Sequence, residues 1–336
     1  MKSVGVHSGM GLLRRLVVAY MLATFVLGAA LIVVRHSESR GAPPSGGSPG
    51  NAAWIDHHWV STVPTAQTVG VLCRQLAAHR IVSVFVHVGP ADASGQISTA
   101  RAPYAARFVA FMHADCPTVT TFAWIGQLLP SWDGMVDLRT SAVRAGLAQA
   151  ASRFCSAGFD GVQYDLEPVA SGDPAFLALL RSTRALTPGC SLAVAGPAIQ
   201  PSPASAGLFH LRLPLPPWSA SYYVQVAALT DEVDAMLYDT SLRRAGDYSR
   251  FVADQVSTLA MAVKGTTIRP GLPAFTGRDS FFDDRVENLR NGLAGIAAAR
   301  DRFSFRELPG IAIYPLWGVD AGGWAAIDAL SSFQSN

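Results

Sequence analysis

Between Asn51 and Asn336 short apolar segments alternate with longer amphipathic runs eight times over, and few folds accommodate that rhythm. Strands are predicted at Trp54–Val60, Ile81–Val88, Val119–Ile125, Gly161–Glu167, Ser191–Ala195, Ala235–Tyr238, Ile268–Pro273 and Ile311–Trp317. Helices are predicted at Thr65–His79, Arg101–His113, Ser141–Ser156, Pro174–Leu186, Ser219–Leu229, Asp247–Val263, Asp284–Arg300 and Gly323–Phe333. Apolar residues at helical spacing, such as Phe251, Val252, Val256, Leu259 and Ala260, mark the buried face of one of them. Eight strand–helix pairs in one region favour an α/β fold closed into a (β/α)8 TIM barrel over an open sheet. The proline-rich stretch 200–218 reads as a long loop.

The N-terminal part is of another kind. Leu16 to Val34 carries no charge, and at ~1.5 Å per residue it spans roughly 28 Å, close to a bilayer core. Lys2, Arg14 and Arg15 precede it, which predicts a cytoplasmic tail over residues 1–15 and an exported remainder. A cleavable signal peptide is the competing reading, but its apolar region is ordinarily shorter, roughly 7–15 residues. The expectation is a single-pass signal anchor at 16–34, with the lipid bilayer as partner and the C-terminal domain outside the cytoplasm. If the anchor is cleaved, the protein is secreted. Residues 35–50, rich in Gly, Pro and Ser, read as a flexible linker, leaving 51–336 as the folded domain.

Half of the residues are hydrophobic and 15% are charged, which suits a large core. A net charge of +2 without basic runs predicts no nucleic-acid partner. Lys2 and Lys264 are the only lysines, and Lys264 stands just before a glycine at a helix end, a poor place for Schiff-base chemistry. Neither metal nor cofactor is expected. Cys73, Cys116, Cys155 and Cys190 lack metal-ligand spacing; in an oxidising compartment three disulfide connectivities are open. Proximity favours Cys73–Cys116 with Cys155–Cys190, and four buried thiols remain the alternative.

The chemistry concentrates in the fourth strand, Gly161-Val162-Gln163-Tyr164-Asp165-Leu166-Glu167. Alternation places Gln163, Asp165 and Glu167 on one face and Val162, Tyr164 and Leu166 on the other. Adjacent carboxylates repel and are costly to desolvate, so such a row is tolerated most readily where a ligand or reaction uses it. In a (β/α)8 barrel reactive groups sit where strands end, which is where Asp165 and Glu167 fall. Met236-Leu237-Tyr238-Asp239 closes the sixth strand and Tyr314-Pro315-Leu316-Trp317 the eighth. Acids among aromatic rings at one rim suit a carbohydrate. Trp59 and Trp124 read as core residues, and His57-His58 as structural.

The run Asp160-Gly161-Val162-Gln163-Tyr164-Asp165-Leu166-Glu167 resembles the D-G-x-D-x-D-x-E signature of glycoside hydrolase family 18, the chitinase-type enzymes, with Gln163 in place of the second acid. Met236-Leu237-Tyr238-Asp239 resembles that family's strand-six motif, and Trp317 its tryptophan under the cleaved sugar. Thr121-Phe122-Ala123-Trp124-Ile125-Gly126 stands where many members carry S-x-G-G. The resemblance implies an oligosaccharide or carbohydrate-polymer substrate and a retaining reaction assisted by the substrate's own acetamido group. It implies Glu167 as general acid, Asp165 as the group that orients the acetamido, and Tyr238 as its hydrogen-bond donor. Gln163, Met236, Asp239 and Trp317 would contact substrate, while Asp160 would be structural. Gln163 is expected to donate to Asp165 and keep it ionised. Two alternatives stay open: a glycan-binding barrel without catalysis, and a glycosidase for sugars lacking the acetamido group.

Overall fold

The computed structural model describes residues 50–201, 213–300 and 309–334. The predicted tail (1–15), membrane segment (16–34) and all of the predicted linker (35–50) except Gly50 lie outside the described residues, as does the middle of the 200–218 loop. Among the described residues no helix is long and apolar enough to cross a membrane.

Eight parallel strands close a barrel in sequential order: β1 (Asn51–Ile55), β2 (Ile81–His87), β3 (Thr120–Leu128), β4 (Gly161–Glu167), β5 (Ser191–Gly196), β6 (Glu232–Met236), β7 (Thr267–Pro273) and β8 (Ala312–Tyr314). A helix follows each strand: α1 (Ala66–Ala78), α2 (Ala105–Asp115), α3 (Ser141–Ser156), α4 (Pro174–Leu186), α5 (Ala220–Ala227), α6 (Ala245–Ala262), α7 (Leu289–Arg300) and α8 (Ala321–Gln334). Several helix starts are fixed by polar side chains that satisfy otherwise orphaned N–H groups. Thr65 forms a capping box with Thr68 before α1, Asp173 caps α4 and Ser219 caps α5.

The strands separate two apolar regions. Outward side chains such as Val162, Tyr164 and Leu166 pack under the helices in the larger core. Inward ones, including Trp54, Phe85, Phe122 and Met236, fill the barrel itself. Gly161 makes this filling possible: a Cβ there would lie 2.3 Å from the Phe122 ring.

Four strands differ from expectation, β3 by running on from Ile125 to Leu128. β1 begins three residues earlier than predicted and ends at Ile55. Its start, Asn51-Ala52-Ala53, lacks β-branched side chains but is fully buried in the parallel sheet. Asp56 then accepts from the His58 N–H (2.5 Å), and a single helical turn, His58–Ser61, replaces the expected strand end. β6 starts at Glu232, three residues earlier than predicted, because two acids in it are buried and find partners on neighbouring strands. Glu232 pairs with Arg269 of β7, and Asp234 accepts from Gln163 Nε2 (2.7 Å). Arg269 also donates from Nε to the Gly50 carbonyl (3.2 Å) at the barrel's lower end. β8 stops at Tyr314, followed by a short 3-10 turn, Leu316–Gly318.

Cys73–Cys116 and Cys155–Cys190 are disulfide-bonded, the pairing that sequence proximity favours. The 200–218 loop is closed at its base, where Gln200 N–H donates to Trp218 O (2.8 Å) and Trp218 N–H to Ala198 O (3.0 Å).

Candidate active site

Above the packed layers, at the C-terminal ends of the strands, lies an open cavity of about 340 Å³. Trp54, Met236, Tyr238 and Tyr314 line it from the strand ends, together with Asp165 and Glu167 of β4. Trp132, Leu215, Asp239, Asp279 and Phe281 come from the loops above. The Tyr238 and Tyr314 rings stack at 5.7 Å with 17° between planes, forming one aromatic wall.

Asp165 is held from the neighbouring strand: Trp124 Nε1 donates to its Oδ2 at 2.9 Å. Trp124 packs against the barrel core, as the sequence suggests, and reaches the site only through this hydrogen bond. Gly126 gives its indole room, since a Cβ at that position would come within 3.1 Å of Trp124 Nε1. The other carboxylate oxygen of Asp165, Oδ1, is buried and has no protein partner. Burial raises the pKa of Asp165, while neighbouring Glu167 and the Trp124 hydrogen bond oppose the rise. Glu167 is pushed up to about 9, first by burial and then by the negative charge of Asp165, with a smaller contribution from Asp239. Glu167 thus keeps its proton near neutrality, while the Trp124 N–H favours the ionised form of Asp165 against its burial.

Gln163 does not donate to Asp165, contrary to expectation. It is fully buried one layer below the pocket, where it accepts from Trp54 Nε1 (2.7 Å) and donates to Asp234. Two residues along a strand advance roughly 6.6 Å, and the amide finds nearer partners across the barrel. Gln163 therefore supports the Trp54 floor and does not line the pocket. Trp317 also departs from its expected place. It is 58% exposed on the turn after β8 and lies outside the cavity lining, because the strand ends three residues sooner than predicted. Tyr314 occupies the pocket instead.

Asp239 follows β6 with φ of 56°, a left-handed conformation that aspartate tolerates. The turn is clamped from behind by buried Glu287, which accepts from Thr240 N–H (3.0 Å) and Thr240 Oγ1 (2.7 Å). Nothing local in the sequence links Glu287 to this site. Burial and the nearby Asp279 raise Asp239 to about 6. Asp160 sits at the far end of β4, where it accepts from Thr121 N–H (2.8 Å) and faces His113. Among the described residues no cluster of His, Cys, Asp and Glu could hold a metal ion.

No known family profile matches the sequence, and no curated protein matches it either. Solved structures do resemble its fold. A chitinase from Chromobacterium violaceum superposes with a TM-score of 0.58 at 16% identity, over 84% of this chain and 98% of that one. A class V chitinase from Nicotiana tobaccum, solved in complex with NAG4, gives 0.55 at 12% identity, over 84% and 99%. The Bacillus cereus spore cortex-lytic enzyme SleL gives 0.56 at 11% identity, over 84% of this chain and 74% of its own. The protein has a chitinase-like (β/α)8 barrel fold.

Proposed function

We propose that the protein is a membrane-anchored, extracytoplasmic glycoside hydrolase that cleaves N-acetylhexosamine-containing glycans with retention of configuration. The supporting observation is the pairing, on one strand end in an open pocket, of a carboxyl held protonated with a carboxylate held by an indole N–H. Glu167 delivers its proton to the departing glycosidic oxygen as the bond to the anomeric carbon breaks. The acetamido oxygen of the same sugar attacks that carbon, so no protein nucleophile is required. Asp165 accepts the acetamido N–H, and its charge stabilises the oxazolinium ring that forms. Water then opens the ring as Glu167 takes its proton back. Tyr238 and Tyr314 supply a ring wall for the sugar, and the Tyr238 hydroxyl is assigned to the acetamido oxygen.

Labelled N-acetylated oligosaccharides incubated with the protein and with Glu167→Gln test this reading. Turnover by the native protein is expected, with a loss of at least about 100-fold in the variant, the usual scale of general acid catalysis. Activity should decline as pH rises through about 9, where Glu167 loses its proton. Equal binding by both proteins without turnover by either would mean a glycan-binding barrel.

A further inference from the structure

The pocket's charge differs from that of the chain around it. Four of its lining residues are acids (Asp165, Glu167, Asp239 and Asp279), and none of those described is Lys, Arg or His. The whole chain carries +2, so this acidity is local. Hydrolysis as derived above uses Asp165 and Glu167 and leaves Asp239 and Asp279 without a task. The bases near this rim are already engaged. Arg243 donates to the Ser280 carbonyl (2.8 Å) and reaches the Asp279 carbonyl, while Arg278 and Arg285 pair with Asp283.

Asp279 is exposed at the rim, and its Oδ1 accepts the N–H groups of Phe281 (2.6 Å) and Phe282 (2.8 Å). That turn fixes the carboxylate beside the exposed Phe281 ring, and Trp132 also lines the same cavity. Two like charges facing one cavity repel, and Asp239 carries the mark of Asp279 in its raised pKa. A bound cation relieves that repulsion, and aromatic rings around it add cation–π attraction. An anionic sugar does the reverse.

Building on the hydrolase reading, we propose that the preferred substrate is a partly de-N-acetylated hexosamine glycan. An N-acetylated unit lies over Asp165 for cleavage, and a neighbouring ammonium-bearing unit lies against Asp239 and Asp279. Glycans carrying carboxylated sugars are disfavoured.

The test uses the full chain in detergent with three hexasaccharides: fully N-acetylated glucosamine, the same oligomer partly de-N-acetylated, and one containing N-acetylmuramic acid. The ratio of kcat/KM for the partly de-N-acetylated over the fully acetylated hexamer is expected near ten, the scale of one charge-assisted contact. It should shrink with added salt, fall towards one in Asp279→Asn and be kept in Asp279→Glu. A ratio of one or below in the native protein, indifferent to Asp279→Asn, overturns the inference while leaving the hydrolase reading intact. Calorimetry of the same hexamers on Glu167→Gln separates the two claims. Tighter binding of the ammonium-bearing hexamer without turnover by native protein sinks hydrolysis but supports charge selection. Equal binding of all three sinks charge selection.

Discussion

Gln163 joins two levels of the barrel through one amide. Its oxygen holds the Trp54 indole that floors the pocket, and its nitrogen holds buried Asp234. Burial and neighbouring Glu232 push Asp234 well above the usual carboxylate range, while Arg269 and Gln163 oppose the rise. Asp165 is held instead by Trp124, which donates to its Oδ2. Glu167 carries a cost of its function that stability measurements can read. Its folded-state pKa, about 9, lies above the ordinary value of 4.5. Its proton therefore favours the folded state most at low pH, and that contribution is lost progressively as pH rises from about 4.5 to about 9. Glu167→Gln should accordingly raise the melting temperature at pH 8 relative to the native protein and have little effect at pH 4. An equal shift at both values would show that the side chain is not held protonated.

The elements divide their labour between the barrel's two ends. β4 and β6 lead into the pocket at their C-terminal ends, and both disulfides tie helices lower down. Cys73–Cys116 joins α1 to the end of α2, and Cys155–Cys190 joins α3 to the start of β5. A 35-residue separation between Cys155 and Cys190 predicts that replacing both by Ala costs roughly 2–4 kcal/mol by loop-closure entropy. Denaturant titration should show that loss with kcat retained at temperatures where the variant stays folded; a loss of kcat in the folded variant would contradict the separation of ends. Element order was legible from sequence because parallel strands and amphipathic helices each keep their own period. β6 was displaced because Glu232 and Asp234 look like solvent-facing residues until Arg269 and Gln163 are seen beside them. β8 was overextended because an apolar run, Ile311 to Trp317, does not announce where a strand gives way to a turn.

For the molecule as a whole, the proposed anchoring and the barrel are separable claims. Removing residues 1–44 should move the protein from the membrane fraction to the soluble one with glycan hydrolysis unchanged; retention in the membrane pellet would contradict an anchor at 16–34. The site was half readable in advance. Asp165 and Glu167 share a face by strand alternation alone, and Tyr238 follows from its neighbouring motif. Trp124, Tyr314, Asp279 and Glu287 belong to the site only because the barrel brings distant strands and loops together, which no local pattern encodes. One detail also sets a practical limit on shortening the chain. Arg269 reaches across the base of the cylinder to the carbonyl of Gly50. A protein trimmed for crystallisation or display that begins after that residue would leave the guanidinium without this acceptor in the dry interior, so the clean cut lies upstream.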